Sequence, residues 1–390
     1  MAERIASNWL QITILVYQRP AGLERLLNSL VKSLGGETHN VDIIYSLELG
    51  YTQENLEIIK KYKVHFSKSS LLKNSYKLGV DKHFLECIAR TNPNSLNLIF
   101  EDDHLCVPGI LNYLHFFKTF KGEAAAFSLY SYELNPSTGL PFLPIKKSGD
   151  FYFYQRITSR GLVLNAAQSS SFVDWLKGYK SEHYRYTIPP YIEKYTDQIW
   201  ETLFTKYLIQ SNQNVLFPYR STMTAFGDKG VHFRQTYDRF VPQVELSLNQ
   251  KMELSMSEEM IEYDAWGELK PRFFVGVLDN DYLADIQIDL NGTKTNIDKS
   301  YVLTCYPVKH AIKSFAIDLK PMEMNVLLNI DGNDIHLAKL EDVKQLTWIR
   351  RQRWRFKMRL YHNQRYGIAE LMLHLIRRLI SNSFYSKYIS

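Results

Sequence analysis

Leu96-Asn97-Leu98-Ile99-Phe100 runs directly into Glu101-Asp102-Asp103, and this junction limits the folds open to the chain. Five mostly apolar residues read as a buried parallel strand. The three acids then fall where the strand leaves the sheet, and in an open α/β sheet that edge is where ligands bind. Adjacent carboxylates repel one another and call for a cation. Mg²⁺ or Mn²⁺ carrying a phosphorylated substrate is one answer, because both prefer oxygen ligands and use only one or two carboxylates beside substrate phosphates. The other is a solvated turn whose acids favour the N-terminus of a helix announced by Pro108 and Gly109.

The flanking sequence supports the sheet. Leu10 to Tyr17 is a β-rich run broken by Gln18-Arg19-Pro20, and Leu23, Leu26, Leu27, Leu30, Val31 and Leu34 then share one helical face up to Gly35-Gly36. Further strands are expected at Val41 to Leu47, at Val64 to Phe66 and at Ala124 to Ser131, with helices near residues 53–61, 81–91, 110–120 and 166–178. A stronger helix is expected from Tyr195 to Ile209, with Thr196 as its cap and Asp197 in its first turn. Strand and helix in alternation predict a doubly wound, nucleotide-binding sheet. Neither GxGxxG nor GxxxxGK[ST] occurs, so a nucleotide diphosphate would need a metal and cationic side chains in place of a glycine-rich cradle.

The second half reads differently. Residues 246–270 are polar and read as a linker, and 271–342 contain short alternating runs separated by turns such as Asn291-Gly292 and Asp331-Gly332, predicting a small β-sandwich-like domain. The formal charge of +6 divides unevenly. From Ile349 to Ser390 ten cations face one acid, Glu370, so the rest of the chain is net negative. Within this basic tail, 343–390, Arg353 to Leu360 alternates cation and apolar residue as a strand would, whereas Ile368 to Leu379 has helical spacing. Two readings stand: a terminal helix docked on the protein's own core, and a basic amphipathic segment for an anionic membrane surface through residues 348–380. Nucleic acid is not expected as a partner, since no basic patch or RNA-binding motif accompanies the sheet.

No apolar run approaches a membrane span, and the opening Met-Ala-Glu-Arg-Ile-Ala-Ser-Asn has no apolar signal-peptide core. Cys87, Cys106 and Cys305 show no CxxC spacing, which predicts neither a disulfide framework nor a zinc knuckle. The expected location is therefore cytoplasmic, including peripheral attachment at the inner face of the plasma membrane.

Three islands resemble glycosyltransferases of the GT-A fold, and more narrowly the inverting β-1,2-N-acetylglucosaminyltransferases typified by N-acetylglucosaminyltransferase I. They are Ile12 to Arg19, Ile99 to Leu105 and Arg220 to Phe233, so the resemblance spans Ile12 to Tyr237. It implies a GT-A domain over residues 1–245 and metal-dependent, inverting transfer of a sugar such as GlcNAc. The implied donor is a nucleotide diphosphate, UDP in that family, and the implied acceptor a glycan or lipid-linked glycan hydroxyl.

Carried over by residue, the resemblance makes Asp103 the ligand of Mn²⁺ or Mg²⁺, with Glu101 and Asp102 on the donor's sugar and ribose. Arg19 would hold the nucleotide end and Glu48 would accept from the uracil imide. Asp197 would be the catalytic base. Arg220 and Lys229 would add positive charge at the diphosphate, and His232 would belong to the loop closing over the donor. Glu48, Asp228 and His232 stand where the family has an aspartate, a cation and a small hydroxyl residue. The missing Golgi-type cysteines and anchor fit a bacterial-type enzyme building a surface polysaccharide. A second class is a non-catalytic glycan-binding or assembly protein with a decayed transferase domain; a metal-dependent nucleotidyl- or phosphotransferase would be expected to offer more phosphate-binding cations.

Overall fold

The structure, a computed structural model, describes residues 9–193, 197–226, 246, 254–294, 298–344 and 348–362. The strands in chain order are β1 (Leu10–Val16), β2 (Val41–Leu47), β3 (Lys68–Lys73), β4 (Leu96–Glu101), β5 (His104–Cys106), β6 (Ala126–Ser128), β7 (Phe151–Tyr154), β8 (Leu162–Leu164), β9 (Val215–Pro218), β10 (Met223–Ala225), β11 (Glu262–Tyr263), β12 (Ile286–Asp289), β13 (Tyr301–Thr304), β14 (Lys313–Phe315) and β15 (Ile335–Lys339). The helices are α1 (Pro20–Leu34), α2 (Gln53–Tyr62), α3 (Val80–Ala89), α4 (Ile110–Thr119), α5 (Ala166–Gly178), α6 (Pro190–Glu193), α7 (Trp200–Gln210), α8 (Asn280–Leu283), α9 (Glu323–Leu327) and α10 (Trp348–His362).

Nine strands form one mixed sheet in the order β11-β7-β9-β6-β8-β4-β1-β2-β3. β4, β1, β2 and β3 run parallel, while β8 lies antiparallel to both β4 and β6. The chain winds outward from β1 through β2 to β3, then returns to the other side of β1 with β4. That reversal makes the carboxyl ends of β1 and β4 a topological switch point. Period 2 distributes the side chains: Leu96, Leu98 and Phe100 pack with α1 and α4, whereas Ile99 packs with α3, α5 and α7. Gly161, at φ +64°, admits the chain to β8; a Cβ there would lie 2.8 Å from Leu129 and 2.9 Å from Met223.

Three expectations need correction. The third strand starts at Lys68, not Val64: among the described residues Lys68–Lys73 pairs only with β2 at the sheet margin, where half-exposed polar side chains are tolerated. Part of the expected linker, 246–270, is instead core. β11 adds parallel to β7, and Ile261, Tyr263, Ala265 and Leu269 are buried. The expected sandwich over 271–342 is one four-stranded sheet, β12-β13-β15-β14, and Val326 lies in α9. Its apolar face joins the α3–α5–α7 side of the large sheet in a continuous core that includes Phe274, Ile288, Leu303 and Leu337.

Residues 348–362 of the tail form a helix where alternation predicts a strand. Met358 and Tyr361 are buried in the same core, the Trp354 indole N–H donates to the Cys305 carbonyl at 3.1 Å, and Lys357 pairs with Asp334. Over these residues the docked-helix reading therefore holds, and the expected second apolar face, Ile368 to Leu379, lies outside the described residues. No helix among the described residues is long and apolar enough to cross a membrane. Truncating a buried methionine leaves a cavity costing about 2–5 kcal/mol. Met358→Ala should lower unfolding stability in urea by that amount; an unchanged midpoint would mean that α10 contributes nothing to the core.

Candidate active site at the sheet edge

β1 and β4 end side by side, and their first residues beyond the sheet lock together. Asp102 is buried and accepts from the Tyr17 backbone N–H at 2.8 Å and from Arg19 Nε at 2.8 Å. Arg19 Nη1 also pairs with Oδ2 of Asp103. The expected site residues Arg19, Glu101, Asp102 and Asp103 thus share one edge. The third island reaches it as well: β10 pairs antiparallel with β5, and the Phe226 N–H donates to the Asp103 carbonyl at 2.9 Å. Arg25 lies over the Phe226 ring at 3.7 Å, fixing the exit of that island against α1.

Burial pushes Glu101 up to about 7, reinforced by Asp103 and opposed by Arg19. Burial likewise pushes Asp102 up to about 6 against Arg19. Of the three acids, Asp102 and Asp103 pair directly with Arg19, and Glu101 feels the same guanidinium without an ion-pair contact among the described residues. Oδ1 of Asp103 has no hydrogen-bond partner among them, leaving an oxygen ligand suited to a hard divalent ion. No group of three His, Cys, Asp or Glu side chains able to hold a metal occurs among the described residues, so such an ion would take most of its ligands from substrate phosphates and water.

Other expected residues are placed differently. Glu48 is buried, and its carboxylate accepts from the backbone N–H groups of Leu49, Leu78 and Gly79 at 2.8–3.0 Å. It ties β2 to the entrance of α3 and is turned away from a role as a free base-reading acceptor. Asp102 has both oxygens engaged at the β1 exit, one by the Tyr17 N–H and one by Arg19. Arg220 is exposed near Asp150 and Tyr113 rather than paired with the acids. Lys229 and His232, with the rest of their loop, lie outside the described residues, as does Thr196.

Asp197 precedes a helix that begins at Trp200 rather than Tyr195, whose first N–H donates to Asp81 on α3 at 3.1 Å. Asp197 accepts from Lys206 Nζ at 2.5 Å and from the Tyr179 hydroxyl at 2.8 Å. Burial alone would raise its pKa, but hydrogen bonds from Lys206, Ser181 and Tyr179 outweigh it and hold the group below its ordinary value.

Sequence reasoning missed a set of groups that only the tertiary fold assembles. Glu201, raised by burial, accepts from the Ser159 N–H at 2.8 Å. Arg160 donates to the Tyr130 hydroxyl at 2.9 Å. Arg156 is buried over the Tyr191 ring at 4.2 Å, with Nε and Nη1 unpartnered among the described residues. His104 is buried, kept neutral by that burial, and accepts from the Glu101 N–H at 3.2 Å. The only advance signal was the density of Arg, Glu and Tyr around residues 152–160 and 201.

Replacing Arg19 by Met would leave buried carboxylates uncompensated, a loss of roughly 3–5 kcal/mol. Urea unfolding of Arg19→Met should show that loss, and adding Asp102→Asn should recover part of it; strictly additive losses would mean that the two groups do not interact.

No family model matches this chain, and no curated protein matches it. Among solved structures it is similar to a Pyrobaculum calidifontis mannosyltransferase in complex with GDP-Man and Mn²⁺, with 8% identity, 57% of this chain and 58% of that chain covered, and a TM-score of 0.39. It is similar to S. aureus TarS 1–349 in complex with UDP-GlcNAc, with 13% identity, 59% and 62% covered, and a TM-score of 0.39. It is also similar to GalNAc-T7 with UDP, GalNAc and Mn²⁺, with 9% identity, 54% and 41% covered, and a TM-score of 0.39. The matched part spans less than two thirds of each of these chains, a likeness too distant to assign an activity.

Proposed function

We propose that the chain is a GT-A glycosyltransferase that moves a sugar, with inversion, from a nucleotide-diphosphate donor to a hydroxyl of a glycan or lipid-linked glycan. The observation that carries the reading is the meeting of Arg19, Asp102 and Asp103 at the switch point, with β10 packed against the turn after those acids. UDP-GlcNAc as donor and bacterial surface polysaccharide synthesis are the finer form of the reading, and rest on the sequence resemblance alone.

Asp103 would hold Mg²⁺ or Mn²⁺, which when bound would offset charge on the leaving diphosphate. Arg19 lies beside the same place and adds a fixed positive charge there. Asp102 positions Arg19 and the β1 exit, and Glu101 faces the donor sugar. The acceptor oxygen attacks the anomeric carbon as the bond to the diphosphate oxygen breaks, through an oxocarbenium-like transition state. Its proton passes to the Asp197 carboxylate, oriented by Lys206 and Tyr179. Such a base contributes about 10²–10⁴-fold.

Asp103→Asn should remove the divalent-cation dependence of UDP binding while leaving the fold intact. Calorimetry on the wild-type protein that shows tight UDP binding in excess EDTA would overturn the metal assignment.

Asp197→Asn should keep donor affinity and lower kcat by about 100-fold or more. Lys206→Met removes a hydrogen bond that lowers the Asp197 pKa, so the base is lost at higher pH and the acid limb of the kcat profile moves upward. A near-normal rate in Asp197→Asn would place the base elsewhere.

A further inference from the structure

Apart from the sheet edge, the C-terminal unit carries a solvent-open cavity of about 650 Å³ lined by its four-stranded sheet and α10. That volume falls within the range of small-molecule sites. Its described lining includes Trp354, Lys309, Lys344, Lys357, Asp334 and His336. Lys357 is neutralised by Asp334. The ammonium groups of Lys309 and Lys344 have no side-chain partner among the described residues, so the cavity carries uncompensated positive charge. His336 is uncharged because burial lowers its pKa, and its Nδ1 lies 2.9 Å from the Ser314 hydroxyl.

The aromatic wall is held rigidly. Trp354 donates to the Cys305 carbonyl at 3.1 Å and packs edge-on against Tyr306, with ring centroids 4.7 Å apart. Gly292, at φ +60°, makes room for it: a Cβ there would lie 2.7 Å from the indole and 2.8 Å from Tyr306. A fixed indole offers an apolar surface to the C–H face of a sugar ring. Two ammonium groups supply point charges for an anion. Asn333 and His336 add hydrogen-bonding groups for hydroxyls.

We infer that this cavity is a second binding site, for a sugar carrying an anionic group, either phosphate or carboxylate. The site is independent of the transferase reading, since none of its groups lies at the edge formed by β1 and β4.

The test uses the full chain in EDTA, titrated in a calorimeter with glucose 1-phosphate, glucuronate, glucose and inorganic phosphate. At least one anionic sugar should bind at least tenfold more tightly than glucose and than phosphate, and which one binds identifies the anion. The paired change Lys309→Ala with Lys344→Ala removes two exposed side chains; it should weaken that binding at least tenfold without moving the thermal midpoint. Asp103→Asn should leave it unchanged, which separates this cavity from the donor site. Trp354→Phe should weaken binding while preserving an aromatic core. The inference is overturned if no anionic sugar binds, if glucose or phosphate binds as tightly, or if the lysine changes have no effect.

Discussion

The ion pairs from Arg19 to Asp102 and Asp103 are the constraint on which the edge of the sheet depends. Through Asp102, which also accepts the Tyr17 N–H, they fasten the end of β1 to the end of β4. The attachment is electrostatically incomplete, because one guanidinium faces three acids and burial drives Glu101 and Asp102 toward their neutral forms. A fold that only needed to close this edge would be better served by an apolar pair. The excess negative charge suits a site that completes itself with a cation arriving with its ligand.

The C-terminal unit meets the large sheet through a similar economy of polar groups. Lys294 pairs with Asp264 at 2.5 Å, and Asp289 accepts from the N–H groups of Thr293 and Lys294. Glu268, fully buried beside them, accepts from the Asn291 N–H at 2.8 Å, and burial with Asp289 pushes it up to about 8. A carboxyl kept protonated can lie at a junction that an ionised one could not share with two further acids. The turn 289–294 therefore does two jobs: it links β11 to the smaller sheet, and through Gly292 it leaves room for the α10 indole.

Much of the first half was legible because its physics is periodic. The buried run at Leu96 and the 3.6-residue spacing of α1 each leave one solution, and the absence of a phosphate loop was visible directly. What escaped notice had other causes. β3 is an edge strand of polar composition, and β11 contributes only two residues, too few for a pattern. In the tail, strict alternation of charge masked Trp354, Met358 and Tyr361, whose spacing of four and then three is helical. Glu201, Arg156 and Arg160 are separated by 41 or more residues of chain from the first and by four from each other, and no local rule brings an α7 acid to the loop before β8. Glu48 shows the converse: its position after β2 was legible, but not that backbone N–H groups would claim it.

The missing glycine-rich loop has a structural counterpart at the helix entrances along the same edge. In dinucleotide-binding sheets the free N–H groups at such an entrance receive phosphate. Here α1 begins with Pro20, which has no N–H to offer. At α3 the preceding N–H groups of Leu78 and Gly79 donate to Glu48, and at α7 the Trp200 N–H donates to Asp81. At α3 and α7 a resident carboxylate thus occupies the entrance and offsets the positive end of the helix dipole, while α2 is capped by Thr52 and Asn55 and the proline of α1 withdraws its first N–H. A diphosphate approaching this edge meets acids where other sheets present amides. Under the proposed function that charge would be met by Arg19 and by a cation at Asp103, which makes the acid triplet and the carboxylate-capped entrances of α3 and α7 two parts of one arrangement.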